Sequence, residues 1–141
     1  MTSVSFAQRK IIYEEIIMYQ YKALITNVVD GDTFDMDIDL GFNIHIHERV
    51  RLLDIDTPEK FGNEKILGLI VKQFAINNFL NKEVVINSEK ADVAANTDSF
   101  GRWLVKVNVD GRDICSLYTS LGINKKCSNY SEDNVRKLEV N

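Results

Sequence analysis

The sequence predicts a mainly β fold with helices (α+β): a five-stranded closed barrel, one helix between strands 3 and 4, and one or two short C-terminal helices. Two observations carry that reading. Runs of period-two hydrophobicity alternate with turn signals, and two stretches of helical spacing interrupt them. A third bears on closure, since an open antiparallel sheet of five such strands would leave exposed edges.

Ala23–Val29 is rich in Leu, Ile, Thr and Val, and Asp30-Gly31 supplies a turn before a second strand, Thr33–Leu40. There Phe34, Met36, Ile38 and Leu40 alternate with Asp35, Asp37 and Asp39, which places the apolar set on one face and the acids on the other. Gly41 turns the chain into a third strand, Ile44–Ile55. Glu64–Leu80 is long enough for a helix, and Leu67, Ile70, Val71 and Phe74 form its core-facing stripe. Glu83–Ser88 and Arg102–Val109 resume strand character, the latter with Trp103, Val105 and Val107 on one parity before the Asp110-Gly111 turn. Ile114, Leu117 and Leu121 before Gly122 predict a short helix with a glycine cap, and Ser131–Asn141 a second, with Val135 and Leu138 as its apolar contacts. This order fits a barrel of the OB type.

The 141 residues, 45% hydrophobic and 27% charged, suit one domain over 22–141, preceded by 1–21 as a short helix, with Ile12 and Ile16 on its stripe, or an irregular arm. No apolar run is long enough to span a bilayer, and Arg9, Lys10, Glu14 and Glu15 break the pattern of a secretory signal, so no membrane partner and a cytoplasmic location are expected, with the chain a monomer. Cys115 and Cys127 lack the spacing of a zinc site and read as buried or idle thiols. A net charge of −4 provides no global attraction for polyanions, so nucleic acid would be held by local cations.

The candidate chemistry lies in Val-Asp-Gly-Asp-Thr at Val29–Thr33, Val-Arg-Leu-Leu at Val50–Leu53, Asp-Thr-Pro-Glu at Asp56–Glu59 and Asp-x-Phe-Gly-Arg at Asp98–Arg102. Acidic oxygens and guanidinium groups at the ends of neighbouring strands are what a hard divalent cation and a phosphate ester need. Each motif alone has a plainer reading: Asp30–Asp32 as a hairpin turn, Asp56–Glu59 as a helix-capping turn, Arg51 and Arg102 as solvated surface residues. In this order, over roughly residues 22–130, they resemble the staphylococcal nuclease (thermonuclease) family, in the form of its compact nuclease-like domains.

That resemblance implies a calcium-dependent phosphodiesterase, an endonuclease-like hydrolase cutting DNA and RNA with little sequence preference and leaving 3′-phosphate ends. Carried over by position, Asp32, Asp56 and the main-chain carbonyl of Thr57 are the implied Ca2+ ligands, with Asp30 behind them. Glu59 corresponds to the residue that positions or deprotonates water, Arg51 and Arg102 to the phosphate-gripping pair, and Tyr130 to a substrate-binding tyrosine. Ser128 falls where a second tyrosine would be, and Lys60–Asn63 is shorter than the family prototype's lysine-rich loop. The alternative is a non-catalytic nucleic-acid-binding OB-fold module, which would typically lack part of this set.

His45 and His47 alternate beside Glu48 and could share a metal, although outward-facing histidines on a barrel are commoner. The acids Asp35, Asp37 and Asp39 hint at an EF-hand, but Gly41 comes one place late and Ile46 stands at the twelfth position, which rejects it.

Overall fold

A computed structural model describes residues 19–88 and 102–140. The strands are β1 (Gln20–Asp30), β2 (Thr33–Asp39), β3 (His45–Leu52), β4 (Glu83–Ser88), β5 (Trp103–Val109) and the two-residue β6 (Arg112–Asp113). The helices are α1 (Lys65–Phe79), led in by a 3-10 turn at Gly62–Glu64, then α2 (Ile114–Leu121) and α3 (Glu132–Arg136), which runs into a 3-10 turn at Lys137–Val140. The sheet runs β3-β2-β1-β4-β5-β6 and closes through β3 against β5, giving a five-stranded barrel of the OB type with β6 as an appendix.

The closure corrects one expectation. Neighbouring strands pair antiparallel, but the closing pair is parallel, with Val50 opposite Trp103 and Leu52 opposite Val105, so the barrel is mixed. A parallel register between strands far apart in sequence leaves no local pattern to read.

β1 bends to serve the barrel. Its inward residues run Ala23, Ile25, then Val28, the spacing of two becoming three at a register shift between Ile25 and Asn27. Such a bulge bends the strand and raises its twist, as a small barrel requires. Phe34, Met36 and Ile38 of β2 point inward as their parity predicts, joined by Val50, Leu52, Val84, Ile86, Val105 and Val107. Leu40 does not follow them: it is exposed at a β2–β3 hairpin tip where Gly41, Phe42 and Asn43 all take positive φ. Trp103 is likewise on the half-exposed rim.

α1 lies across one end of the barrel, burying Leu67, Ile70, Val71, Ala75 and Phe79, and its Phe74 and Phe79 join Phe34 and Tyr118 in an aromatic cluster with centroids 5.9–6.3 Å apart. Emptying the fully buried Phe34 to alanine would cost about 3–5 kcal/mol. α2 starts where Asp113 accepts the Cys115 amide and stops at Gly122, whose φ of 72° suits glycine. Ser131 caps α3, and Val135 is fully buried. The third strand ends earlier than its apolar run suggests, because Asp54 turns left-handed at φ 62°. β1 begins at Gln20, and the expected stripe of Ile12 and Ile16 lies outside the described residues.

Candidate nuclease-type site

The β1–β2 turn brings the first carboxylates to one end of the barrel. Its backbone is packed so closely that a side chain at Gly31 would collide with Val71 and Thr57. Beneath it the buried Tyr118 hydroxyl donates to the Gly31 carbonyl at 2.7 Å. Asp30 accepts the Asp32 amide at 3.2 Å, an Asx arrangement that tightens the turn.

Asp32 is therefore held in place and nearly dry, its side chain 7% exposed. It accepts hydrogen bonds from the Thr33 hydroxyl and the Thr57 amide, each at 3.1 Å, and Arg51 Nη2 stands 3.4 Å away. Burial dominates its acidity: together with the adjacent Asp30 carboxyl it pushes Asp32 up to about 6, against the pull of the Thr57 amide and Arg51. A buried carboxylate in this state gains from any further positive charge beside it.

The second group sits on the loop after β3. Arg51 lies opposite Thr33 on β3, which points its guanidinium at the turn, and the same Nη2 that faces Asp32 is 3.4 Å from Asp56 Oδ1. Asp56 is fixed by its backbone, its amide donating to Asn124 Oδ1 at 3.0 Å and its carbonyl accepting the Lys125 amide at 2.7 Å. Asn124 is wholly buried and also donates to the Asp54 carbonyl at 2.9 Å. Thr57 and Pro58 are buried, and Glu59 emerges exposed at the loop's end. Helix α1 begins after this loop with no side-chain cap, so the capping-turn reading of Asp56–Glu59 fails.

Arg102 reaches the same place from the start of β5, because the parallel β3–β5 register sets Trp103 beside Val50. Its Nη1 donates to the Thr33 hydroxyl at 3.3 Å, and that hydroxyl donates to Asp32. Asp98, Phe100 and Gly101 of its motif lie outside the described residues.

Other residues around the site carried no sequence motif. Glu64 accepts the Glu59 amide through Oε2 and the Lys125 ammonium through Oε1, both at 2.8 Å. Lys60 is held at the Val29 carbonyl, 2.9 Å away, so the lysine of the short Lys60–Asn63 loop is engaged in structure. Tyr130 is half-buried against the core, and its phenol is raised by burial and by the nearby Glu64 carboxylate. Ser128 is exposed.

The donor set suits a hard cation. Two carboxylates, one of them buried, meet at one guanidinium nitrogen, and among the described residues no donor meets the buried Thr57 carbonyl. Oxygen-only donors of this kind are what calcium takes. No group of three or more His, Cys, Asp or Glu side chains is arranged to hold a metal among the described residues, so a cation here would depend on that carbonyl and on non-protein oxygens. His45 and His47 face outward around Asp37, at 3.1 and 4.0 Å from its Oδ1.

Comparison with known proteins shows the family. A family model described as staphylococcal nuclease homologue matches residues 49–139, a span that holds Arg51, Asp56, Thr57, Glu59, Arg102 and Tyr130, while Asp30 and Asp32 precede it. No curated protein matches the chain. Among the described residues no helix is long and apolar enough to cross a membrane.

Proposed function

The chain belongs to the family of staphylococcal nuclease homologues, and from that premise we propose that it is a calcium-dependent phosphodiesterase that hydrolyses DNA and RNA with little sequence preference, leaving 3′-phosphate ends. The observation that supports this most is the convergence of Asp32, Arg51, Asp56 and Arg102 at one end of the barrel, with Glu59 exposed three residues beyond Asp56 on the same loop. A module retained only for binding has no need of that full set.

Asp32, Asp56 and the Thr57 carbonyl would hold the ion, with Asp30 deepening the negative potential behind them. When bound, calcium supplies Lewis-acid polarisation of a phosphoryl oxygen. The remaining chemistry belongs to side chains. Glu59, exposed at the loop's end, orients or deprotonates the water whose oxygen attacks phosphorus. Arg51 and Arg102 can each donate two parallel hydrogen bonds to phosphate oxygens, and those bonds strengthen as charge builds on the phosphorus centre. The P–O5′ bond breaks, the 5′ oxygen takes up a proton, and the phosphate stays on the 3′ side. Arg51 must exchange its carboxylate partners for phosphate to do this, which its 22% exposed side chain permits.

End-group analysis tests the proposed reaction. Oligonucleotide products should resist polymerase extension until a phosphatase removes the 3′ phosphate. Products that extend directly, with phosphate on the 5′ end, would contradict it, and binding without turnover would favour the non-catalytic module.

A further inference from the structure

The exposed Glu59 carboxylate has no side-chain partner among the described residues, so its aim depends on its backbone. That backbone belongs to a closed ring. The Glu59 amide donates to Glu64, the other oxygen of Glu64 takes the Lys125 ammonium, and the Lys125 amide donates to the carbonyl of Asp56, three residues before Glu59. Each link is 2.7–2.8 Å long. The ring encloses the loop that bears Asp56, Thr57 and Glu59, and ties that loop and the adjoining turn that opens α1 to the segment after α2, some sixty residues on.

The surroundings make that ring the adjustable part of the loop's attachment. At its first end Asp56 has a second tie, to the buried Asn124. In its middle Thr57 is tied to Asp32. At its last end the carbonyl of Glu59 packs so tightly on α1 that Gly68 alone leaves room for it, yet the amide of Glu59 has Glu64 as its partner among the described residues. Glu64 is in turn oriented by Lys125, which holds its carboxyl below the usual range while Glu64 raises the lysine. Both side chains are about one-third exposed, 34% and 30%, and so in contact with solvent.

We propose that Lys125 and Glu64 are positioning residues for Glu59: their ion pair fixes the backbone from which that carboxylate reaches water, and couples it to the loop's Asp56 end. The inference rests on the nuclease reading for its catalytic meaning, and on the hydrogen-bonded ring alone for its structural meaning. A neutral side chain at position 125 would leave Glu64 free to swing into solvent and its bond to the Glu59 amide open to exchange. Arginine there would restore a donor to Glu64.

The experiment compares wild type with Lys125→Met and Lys125→Arg in two readouts. Amide exchange, followed residue by residue by NMR, should accelerate about tenfold or more at Glu59 in Lys125→Met, with Thr57 unchanged as the control for folding and Lys125→Arg close to wild type. With calcium and denatured DNA, kcat should fall about tenfold in Lys125→Met while KM stays within about twofold, because misplacing a catalytic group reduces rate more than binding. Unchanged exchange at Glu59 would overturn the ring. Accelerated exchange with unchanged kcat would overturn the positioning role. Accelerated exchange in a protein whose wild type shows no turnover would leave the ring standing and overturn the nuclease reading on which its catalytic meaning depends.

Discussion

Arg51 on β3 faces Asp32 in the β1–β2 turn, its Nη2 3.4 Å from a carboxylate whose side chain is only 7% exposed. The same nitrogen is shared with Asp56 at 3.4 Å, so one guanidinium serves as the counter-charge of two acids. On the proposed function, phosphate binding would have to draw Arg51 away from them, and a cation between the carboxylates would make that exchange favourable. Metal and phosphate should therefore bind cooperatively, with Arg51 as the group they share.

Replacement of Arg51 accordingly separates charge from geometry. Arg51→Ala should lower kcat/KM by a hundredfold or more, about 3 kcal/mol of transition-state stabilisation. Arg51→Lys keeps the charge but loses the planar fork, and should recover little of that rate. Steady-state kinetics on denatured DNA checks both.

Asp32 bears the stability cost of the site. Its buried charge is disfavoured, and asparagine can still accept the Thr57 amide, so Asp32→Asn in chelator should raise stability by about 1 kcal/mol, roughly 3 °C. The same variant should lose activity and lose any calcium-induced rise in melting temperature. Thermal melts with and without calcium give the comparison.

Tyr118 supports the turn from below. Tyr118→Phe leaves the buried Gly31 carbonyl without its donor and should cost about 1–2 kcal/mol by chemical denaturation. Gly31→Ala should do more harm, since its new methyl meets Val71 and Thr57.

The Glu64–Lys125 pair should also appear in the pH dependence of stability. Glu64 is depressed in the fold, so its contribution is present above the unfolded carboxyl pKa and lost as pH falls through the lower folded value. Lys125 is raised, so its contribution is present below the unfolded lysine pKa and lost as pH rises through the higher folded one. The stability gap between wild type and Lys125→Met, no more than about 1 kcal/mol for so exposed a pair, should be widest near neutrality and close at both extremes. Denaturation midpoints across pH measure it.

Much of this arrangement was legible because strand parity and turn chemistry are local. Phe34, Met36 and Ile38 against Asp35, Asp37 and Asp39 gave β2 its inner face, and Asp30-Gly31 placed Asp32 at a strand end. The hairpin tip was not legible, because Leu40 continues the parity of β2 while Phe42 adopts a left-handed backbone that its side chain does not advertise. Nor was the parallel β3–β5 seam, although Arg102 depends on it for its place. Asn124, Lys125 and Tyr118 act through hydrogen bonds to loops far away in sequence, and Glu64 joins the Glu59 amide to the distant Lys125; no periodicity or spacing marks such residues.

The central claim is that this barrel end hydrolyses phosphodiesters with calcium and Glu59. Its most direct test is the release of acid-soluble nucleotides from heat-denatured DNA and from RNA, in millimolar calcium against chelator, by wild type and Glu59→Gln. The account predicts release that requires calcium and falls at least a hundredfold in the variant. Equal release by the two proteins, or release that persists in chelator, would contradict it.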